Sequence, residues 1–150
     1  MQTSLYPATV ADLEKIAAMR RQLYEKCPSI IDEPRDRHTM LQLMEQPELG
    51  AAWLIIVDGK TVGYALVTFC YSIEFGGRFA LLDELWISPE SRGHRIGTEA
   101  IKLIEEILGF QKITALRLEV EHTNSGAQRF YGRNNFQLHD RRLMTRWLNT

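Results

Sequence analysis

The chain has 150 residues, 45% of them hydrophobic and 25% charged, with a formal net charge of -1. That length supports one hydrophobic core with little room for a second, and the composition is that of a soluble globular protein. The near-neutral balance argues against a broad basic surface for nucleic acid, and the longest apolar run, Ala51 to Val57, falls far short of the roughly 20 residues that cross a bilayer.

Neither nucleic acid nor a membrane is therefore an expected partner. Cys27 and Cys70 stand outside any CxxC or CxH spacing, which argues against a disulfide framework and favours a reducing cytoplasm. His38, His94, His122 and His139 show no ligand spacing, so no metal site is expected. Met1 to Tyr6 lacks the basic and apolar regions of a secretory signal. No repeat or Pro/Gly-rich linker divides the chain, and one domain over 1–150 is expected.

In chain order, Leu5 to Thr9 reads as a short strand. From Ala11 the pattern turns helical, with Leu13, Ile16, Ala17, Arg20 and Tyr24 at three- and four-residue spacings, until Pro28 ends it. A weaker helix covers about Arg37 to Glu45. Ala51 to Val57 is an apolar strand, Asp58-Gly59-Lys60 a hairpin turn, and Thr61 to Ser72 a long strand. Phe75 to Arg78 turns the chain into a strand from Ala80 to Ile87. Ile96, Ala100, Leu103, Ile104 and Ile107 mark an amphipathic helix. Ala115 to Glu121 alternates as a strand, Ser125 to Gly132 is a short helix, and two strands close the chain near Phe136–Leu138 and Arg142–Leu148. The expected class is α/β (α+β): a mixed, mostly antiparallel central sheet of six to seven strands flanked by about four helices.

Ala80 and Leu82 lie in one phase of their strand, Leu85 and Ile87 in the other. A single bulge at Asp83-Glu84 would bring all four to one side, although Leu81 and Trp86 blur the pattern.

The segment from Ile87 to Thr98 joins that strand to the amphipathic helix through a turn containing Gly93 and Gly97. Unpaired amides at such a helix start, with the helix dipole, suit a phosphate, and Arg92 and Arg95 can add full charges. The pattern is neither a dinucleotide GxGxxG nor a P-loop. Arg92-Gly93-His94-Arg95-Ile96-Gly97, preceded by Ile87-Ser88-Pro89, resembles the Arg/Gln-x-x-Gly-x-Gly/Ala signature of the GNAT superfamily of N-acetyltransferases, with Arg95 where glycine is usual. Leu118-Glu119-Val120, Asn124, Ala127, Phe130-Tyr131 and Asn135-Phe136 resemble the family's N-x-x-A-x-x-F-Y-x-x-x-G-F element. Asn135 replaces a glycine there, a substitution the left-handed region tolerates.

The resemblance implies acetyl-CoA as donor, held along Leu85, Trp86 and Ile87, by Arg92, Gly93, His94, Arg95, Ile96, Gly97 and Thr98, and by Asn124 and Ala127. His94 is expected to contribute backbone, and Asn124 to serve the pantetheine arm, the N-cap of its helix, or both. The acceptor is an amine, with direct attack in a ternary complex. An alkyl amine of pKa near 10.4 is neutral in only on the order of one molecule in a few thousand at pH 7, so a base is needed. Glu84 is the first candidate, directly or through water, and Asp83 the second; the alternative for either is attraction of a cationic acceptor. Tyr131 would be core by default, and the resemblance makes it the general acid at the departing thiolate. Asp32, Glu33, Glu74, Asp83 and Glu84 fall in segments that border the acceptor cleft in this family, which favours a cationic acceptor: polyamine, aminoglycoside, amino-acid derivative or protein amine. A homodimer is compatible with the resemblance. The competing class is a non-catalytic module on the same fold, sensing acyl-CoA or binding a partner; Tyr131 and both carboxylates argue against it.

Overall fold

The computed structural model describes residues 2–148. They fall into two compact units, divided between Glu119 and Val120.

In the first unit, Asp58 and Gly59 take positive φ values of 51° and 77°, the handedness a two-residue hairpin needs to match strand twist. The turn joins β2 (Gly50–Val57) to β3 (Lys60–Ser72), and a second turn joins β3 to β4 (Gly77–Ile87). With β1 (Thr3–Pro7) and β5 (Leu116–Arg117) these strands form one sheet in the order β1-β2-β3-β4-β5. All neighbours are antiparallel except β4 and β5, which run parallel.

Both faces of the sheet are covered. On one face α1 (Leu13–Leu23) and α2 (Glu33–Glu45) bury Ile16, Met19 and Met40 against Ala52, Leu54, Tyr64, Leu66 and Trp86. On the other, α3 (Ile96–Phe110) buries Ile96 and Ala100 against Ile55 and Val57, with Leu85 and Ile87 packed alongside. Each large aliphatic side chain taken out of water there contributes about 2 kcal/mol. A Cβ on Gly63 would lie 2.1 Å from the Trp86 carbonyl oxygen, so only glycine lets β3 approach the end of β4.

The expected bulge is present. Val67 faces Leu82 and Leu66 faces Glu84, leaving Asp83 without a cross-strand partner. The inserted residue changes the strand's phase. Ala80, Leu82, Leu85 and Ile87 consequently share the α3 face, while Leu81, Glu84 and Trp86 share the opposite one. Leu81 and Trp86 had blurred the pattern because the sheet is apolar on both sides.

The sheet has five strands among the described residues, against the six to seven expected. Of the strand expected over Ala115 to Glu121, only Leu116 and Arg117 pair, with Ala80 and Leu81. Beyond Leu81 the edge of β4 turned away from β3 has no strand partner among the described residues, and pairing with β5 ends in a fork. In the second unit, α4 (Ser125–Arg133) is followed by irregular chain, so the closing strands at Phe136–Leu138 and Arg142–Leu148 do not form. A strand exists only where a ladder is made; those segments have the alternation but no bonded neighbour. The second helix begins at Glu33 rather than Arg37, because Pro34 sits in the first turn, where its missing N–H costs nothing, and Asp32 caps the helix. No described helix is long and apolar enough to cross a membrane.

Candidate functional site

β4 ends in the turn that starts α3, and the turn is fastened from both sides. The Ser88 amide donates to the Val62 carbonyl at 2.8 Å, and Arg92 Nε donates to the Ile87 carbonyl at 2.8 Å. That bond gives the Arg92 side chain a structural task at the strand end. Gly93 has φ 82° and Arg95 φ 65°, and α3 follows at Ile96. The first i→i−4 helical bond runs from the Glu99 amide to the Arg95 carbonyl at 3.0 Å, and no side chain caps the helix. The amides of Ile96, Gly97 and Thr98 thus have no helical acceptor, which is the arrangement that receives a phosphate. The left-handed φ of Arg95 explains the usual glycine there: a side chain in that region costs about 1 kcal/mol. The Trp86 side chain is buried with α1 and α2, and those of Leu85 and Ile87 pack towards α3, so at these residues only backbone lines the strand edge.

Across the sheet, Glu84 is the one buried acid among the described residues, at 6% exposure. Its carboxylate accepts five hydrogen bonds from three side chains. Arg20 Nε reaches Oε1 at 2.8 Å and Oε2 at 3.0 Å, and Nη2 reaches Oε2 at 2.9 Å. Tyr24 Oη donates to Oε2 at 2.9 Å and Tyr64 Oη to Oε1 at 2.8 Å. Arg20 Nη1 also donates to Asp36 Oδ2 at 2.8 Å. Burial works against the Arg20 charge, but the bonds and charge of Glu84 outweigh it and push the guanidinium further towards its protonated form. Burial and the Glu84 charge raise both tyrosines, so Tyr24 and Tyr64 stay donors. Asp36 is held below the usual carboxylate range: burial opposes this, and the Asp32 amide, Arg20 and Arg35 prevail. A carboxylate offers about four lone-pair sites, and these donors occupy them.

Asp83, one residue away, is its opposite. Its side chain is solvent-accessible and makes no hydrogen bond or ion pair with the described residues. Partial desolvation raises its pKa, Glu84 and Glu119 raise it further by charge, and Arg20 opposes them. Glu119 follows β5 two residues past its last paired position, as Asp83 follows Leu81 on β4. The structure therefore brings Asp83 and Glu119 together at the fork.

The other expected acids are engaged locally. Glu33 pairs with Arg21, and Asp32 Oδ1 accepts the Arg35 amide at 3.2 Å as the cap of α2. Glu74 lies in the hairpin turn, its amide donating to Ser72 Oγ at 3.2 Å. In α2, Glu33 and Asp36 are thus paired with arginines of the same layer.

In the second unit, Asn124 Oδ1 accepts the Ala127 amide at 3.0 Å and caps α4. Tyr131 lies between two rings, 5.1 Å from Phe130 and 5.5 Å from Phe136, both edge-on. Burial raises its pKa, keeping the phenol protonated. Asn135 has φ 69°, and the Phe136 amide returns to the Tyr131 carbonyl at 3.0 Å, the helix stop expected of an asparagine in the glycine position.

Sequence reasoning missed Arg20, Tyr24 and Tyr64. The signal was present: Arg20 stands on the apolar stripe of α1, and an arginine facing a core requires a buried acid.

The sequence pattern of the acetyltransferase (GNAT) family matches residues 17–136. Thialysine N-epsilon-acetyltransferase from Bos taurus is 37% identical over 70 residues, 47% of this chain and 41% of that protein. The Mus musculus enzyme of the same name is 36% identical over the same shares. The match thus spans about two fifths of the length of these relatives. Among solved structures, a possible acetyltransferase from Clostridium difficile superposes with a TM-score of 0.85 at 20% identity, covering 100% of both chains. An aminoglycoside 6'-N-acetyltransferase from Acinetobacter baumannii gives 0.81 at 16% identity, covering 99% of this chain and 100% of the other. These two likenesses concern the fold.

Proposed function

Because the chain belongs to the acetyltransferase (GNAT) family, we propose that it transfers an acetyl group from acetyl-CoA to a primary amine on a cationic small molecule. The observation that carries this reading lies on β4. An accessible, desolvated carboxyl at Asp83 and the open amides of α3 stand at two ends of one unpaired strand edge. About 13 Å of extended chain separates Asp83 from Ile87, which suits a long donor with its phosphates at α3 and its thioester at the fork.

In this reading Asp83 is the base, in place of the better-bonded Glu84. It takes the ammonium proton, and the freed nitrogen attacks the thioester carbonyl carbon in a ternary complex. The N–C bond forms, the C–S bond breaks, Tyr131 supplies a proton to the departing thiolate, and the nitrogen's remaining extra proton passes through solvent to restore the phenol. The backbone amides of Leu85 and Ile87, turned away from β3, stabilise the developing oxyanion, while that of Trp86 faces β3. Residues 92–98 hold the phosphates, with Asn124 and Ala127 beside the pantetheine arm. That the family pattern crosses from one compact unit into the other supports their working as one acetyltransferase domain. Free Cys27 and Cys70 fit a reducing compartment such as the cytoplasm.

The relatives' name specifies an ε-amine of an amino acid, and that chemistry heads the acceptor class proposed here. The test is release of free thiol from saturating acetyl-CoA with thialysine, lysine, polyamines, aminoglycosides and peptide amines. Turnover with one cationic amine supports the reading. Tight acetyl-CoA binding with no thiol release across the panel would favour a sensor.

A further inference from the structure

Asp83 has no partner on β3, since Leu82 faces Val67 and Glu84 faces Leu66. As the inserted residue it takes its placement from the two neighbours that flank it on β4. Leu82 is anchored by packing, with 5% of its surface exposed. Glu84 is anchored by polar contacts that reach across the layer above: through Arg20 to α1, and from Arg20 Nη1 to Asp36 on α2. Asp36 in turn accepts the Asp32 amide at 3.0 Å, so the chain of bonds ends at the start of α2.

A buried arginine and glutamate are a poor choice if packing were the whole task, since apolar side chains of similar volume hold as well or better. What the planar guanidinium adds is direction. Its Nε and Nη2 grip both carboxylate oxygens in one plane, and the two phenols close the remaining sides. The plane of the Glu84 carboxylate fixes the rotation of its side chain, and with it the backbone at the bulge.

We propose that Arg20 is a positioning residue for acetyl transfer: by clamping Glu84 it fixes the bulge that holds the Asp83 carboxyl at the β4–β5 fork. This rests on Asp83 being the base. A misplacement of about 1 Å at a reacting group costs on the order of 100-fold in rate, so a loosened bulge should be visible in kcat.

The test is a double-mutant cycle between Arg20→Met and Asp83→Asn, with kcat measured on an accepted amine below each variant's unfolding midpoint. Arg20→Met is expected to lower kcat by roughly 10- to 100-fold, with KM for acetyl-CoA unchanged. In the Asp83→Asn background the same substitution should change kcat by less than about 3-fold, because the group being positioned is gone. Arg20→Lys keeps the charge but not the two-pronged grip, and it is carried through the same cycle in case the Met variant does not fold. It should lose an intermediate amount of kcat, again only when Asp83 is present. Losses that multiply across the cycle, or wild-type kcat in either folded Arg20 variant, would overturn the positioning role while leaving Asp83 as the base. Wild-type kcat in Asp83→Asn alone would instead overturn the base assignment, and the positioning role with it.

Discussion

Arg20 and Glu84 are separated by 64 positions in the chain, while 2.8 Å separates Arg20 Nε from Glu84 Oε1. Their side chains are 12% and 4% exposed, so the pair is close to fully withdrawn from water. Removing one partner strands the other, which typically costs about 3–5 kcal/mol. Arg20→Met is expected to lose that much in urea unfolding. Arg20→Met combined with Glu84→Leu should lose less than the single change, since no carboxylate is left uncompensated. Equal losses would mean that the pair contributes through packing alone.

Asp83 should show the reverse: a cost to stability that accompanies a gain in activity. Its folded pKa lies above the unfolded value, so between the two the native state binds more protons than the unfolded chain. Stability then falls as pH rises through that window, and the loss persists at neutral pH. Asp83→Asn is therefore expected to raise the melting temperature at pH 7 and leave it unchanged below about pH 3, where both states are protonated. The same variant should lower kcat by about 100-fold or more. Thermal melts at the two pH values, with turnover on the same samples, check both halves.

At the phosphate turn the two positions of interest act oppositely. Arg95→Gly relieves a left-handed side chain at an N-cap and is expected to stabilise the fold by about 0.5 kcal/mol, glycine's extra chain entropy offsetting part of the gain. Arg95→Ala keeps the strain and should give no such gain. Gly97→Val, in the first turn of α3, should obstruct a phosphate and weaken acetyl-CoA binding by about 10-fold, or 1.4 kcal/mol. Calorimetric titration of the folded variants measures each effect.

Tyr131→Phe removes one hydroxyl and keeps the ring between Phe130 and Phe136. If the phenol delivers a proton to the leaving thiolate, kcat should fall by about 100-fold, the lower end for acid catalysis because a thiol of pKa near 8.5 leaves readily. Acetyl-CoA affinity should stay the same. Wild-type kcat where chemistry limits turnover would return Tyr131 to a packing role.

Features governed by local chemistry were legible in the sequence. Asp58-Gly59 announced a hairpin, the phase slip between Leu82 and Leu85 announced a bulge, and Asn135 announced a left-handed helix stop. Features that depend on meeting a distant residue were not. Glu84 stands first and Asp83 second as the base in the sequence, where nothing nearby shows that Arg20, Tyr24 and Tyr64 converge on Glu84. The pairing of Glu33 with Arg21 was likewise invisible until α1 and α2 packed together. The pattern at Arg142 to Leu148 predicted a strand, but alternation describes only a chain's readiness to pair and does not supply the neighbour. Pro34 was read as lying outside its helix, although the first turn is where a helix accepts proline.

The bulge has a consequence for how this protein can change. From Phe79 to Ile87 the other residues of β4 answer to one of two interiors, one beneath α1 and α2, the other beneath α3. Residue 83 answers to neither, since the insertion releases it from the alternation that binds its neighbours. Its identity can therefore vary without asking either interior to repack. The strand thus presents one position whose substitution would fall on the proposed chemistry and spare the packing on both sides, so that function and fold are separable there.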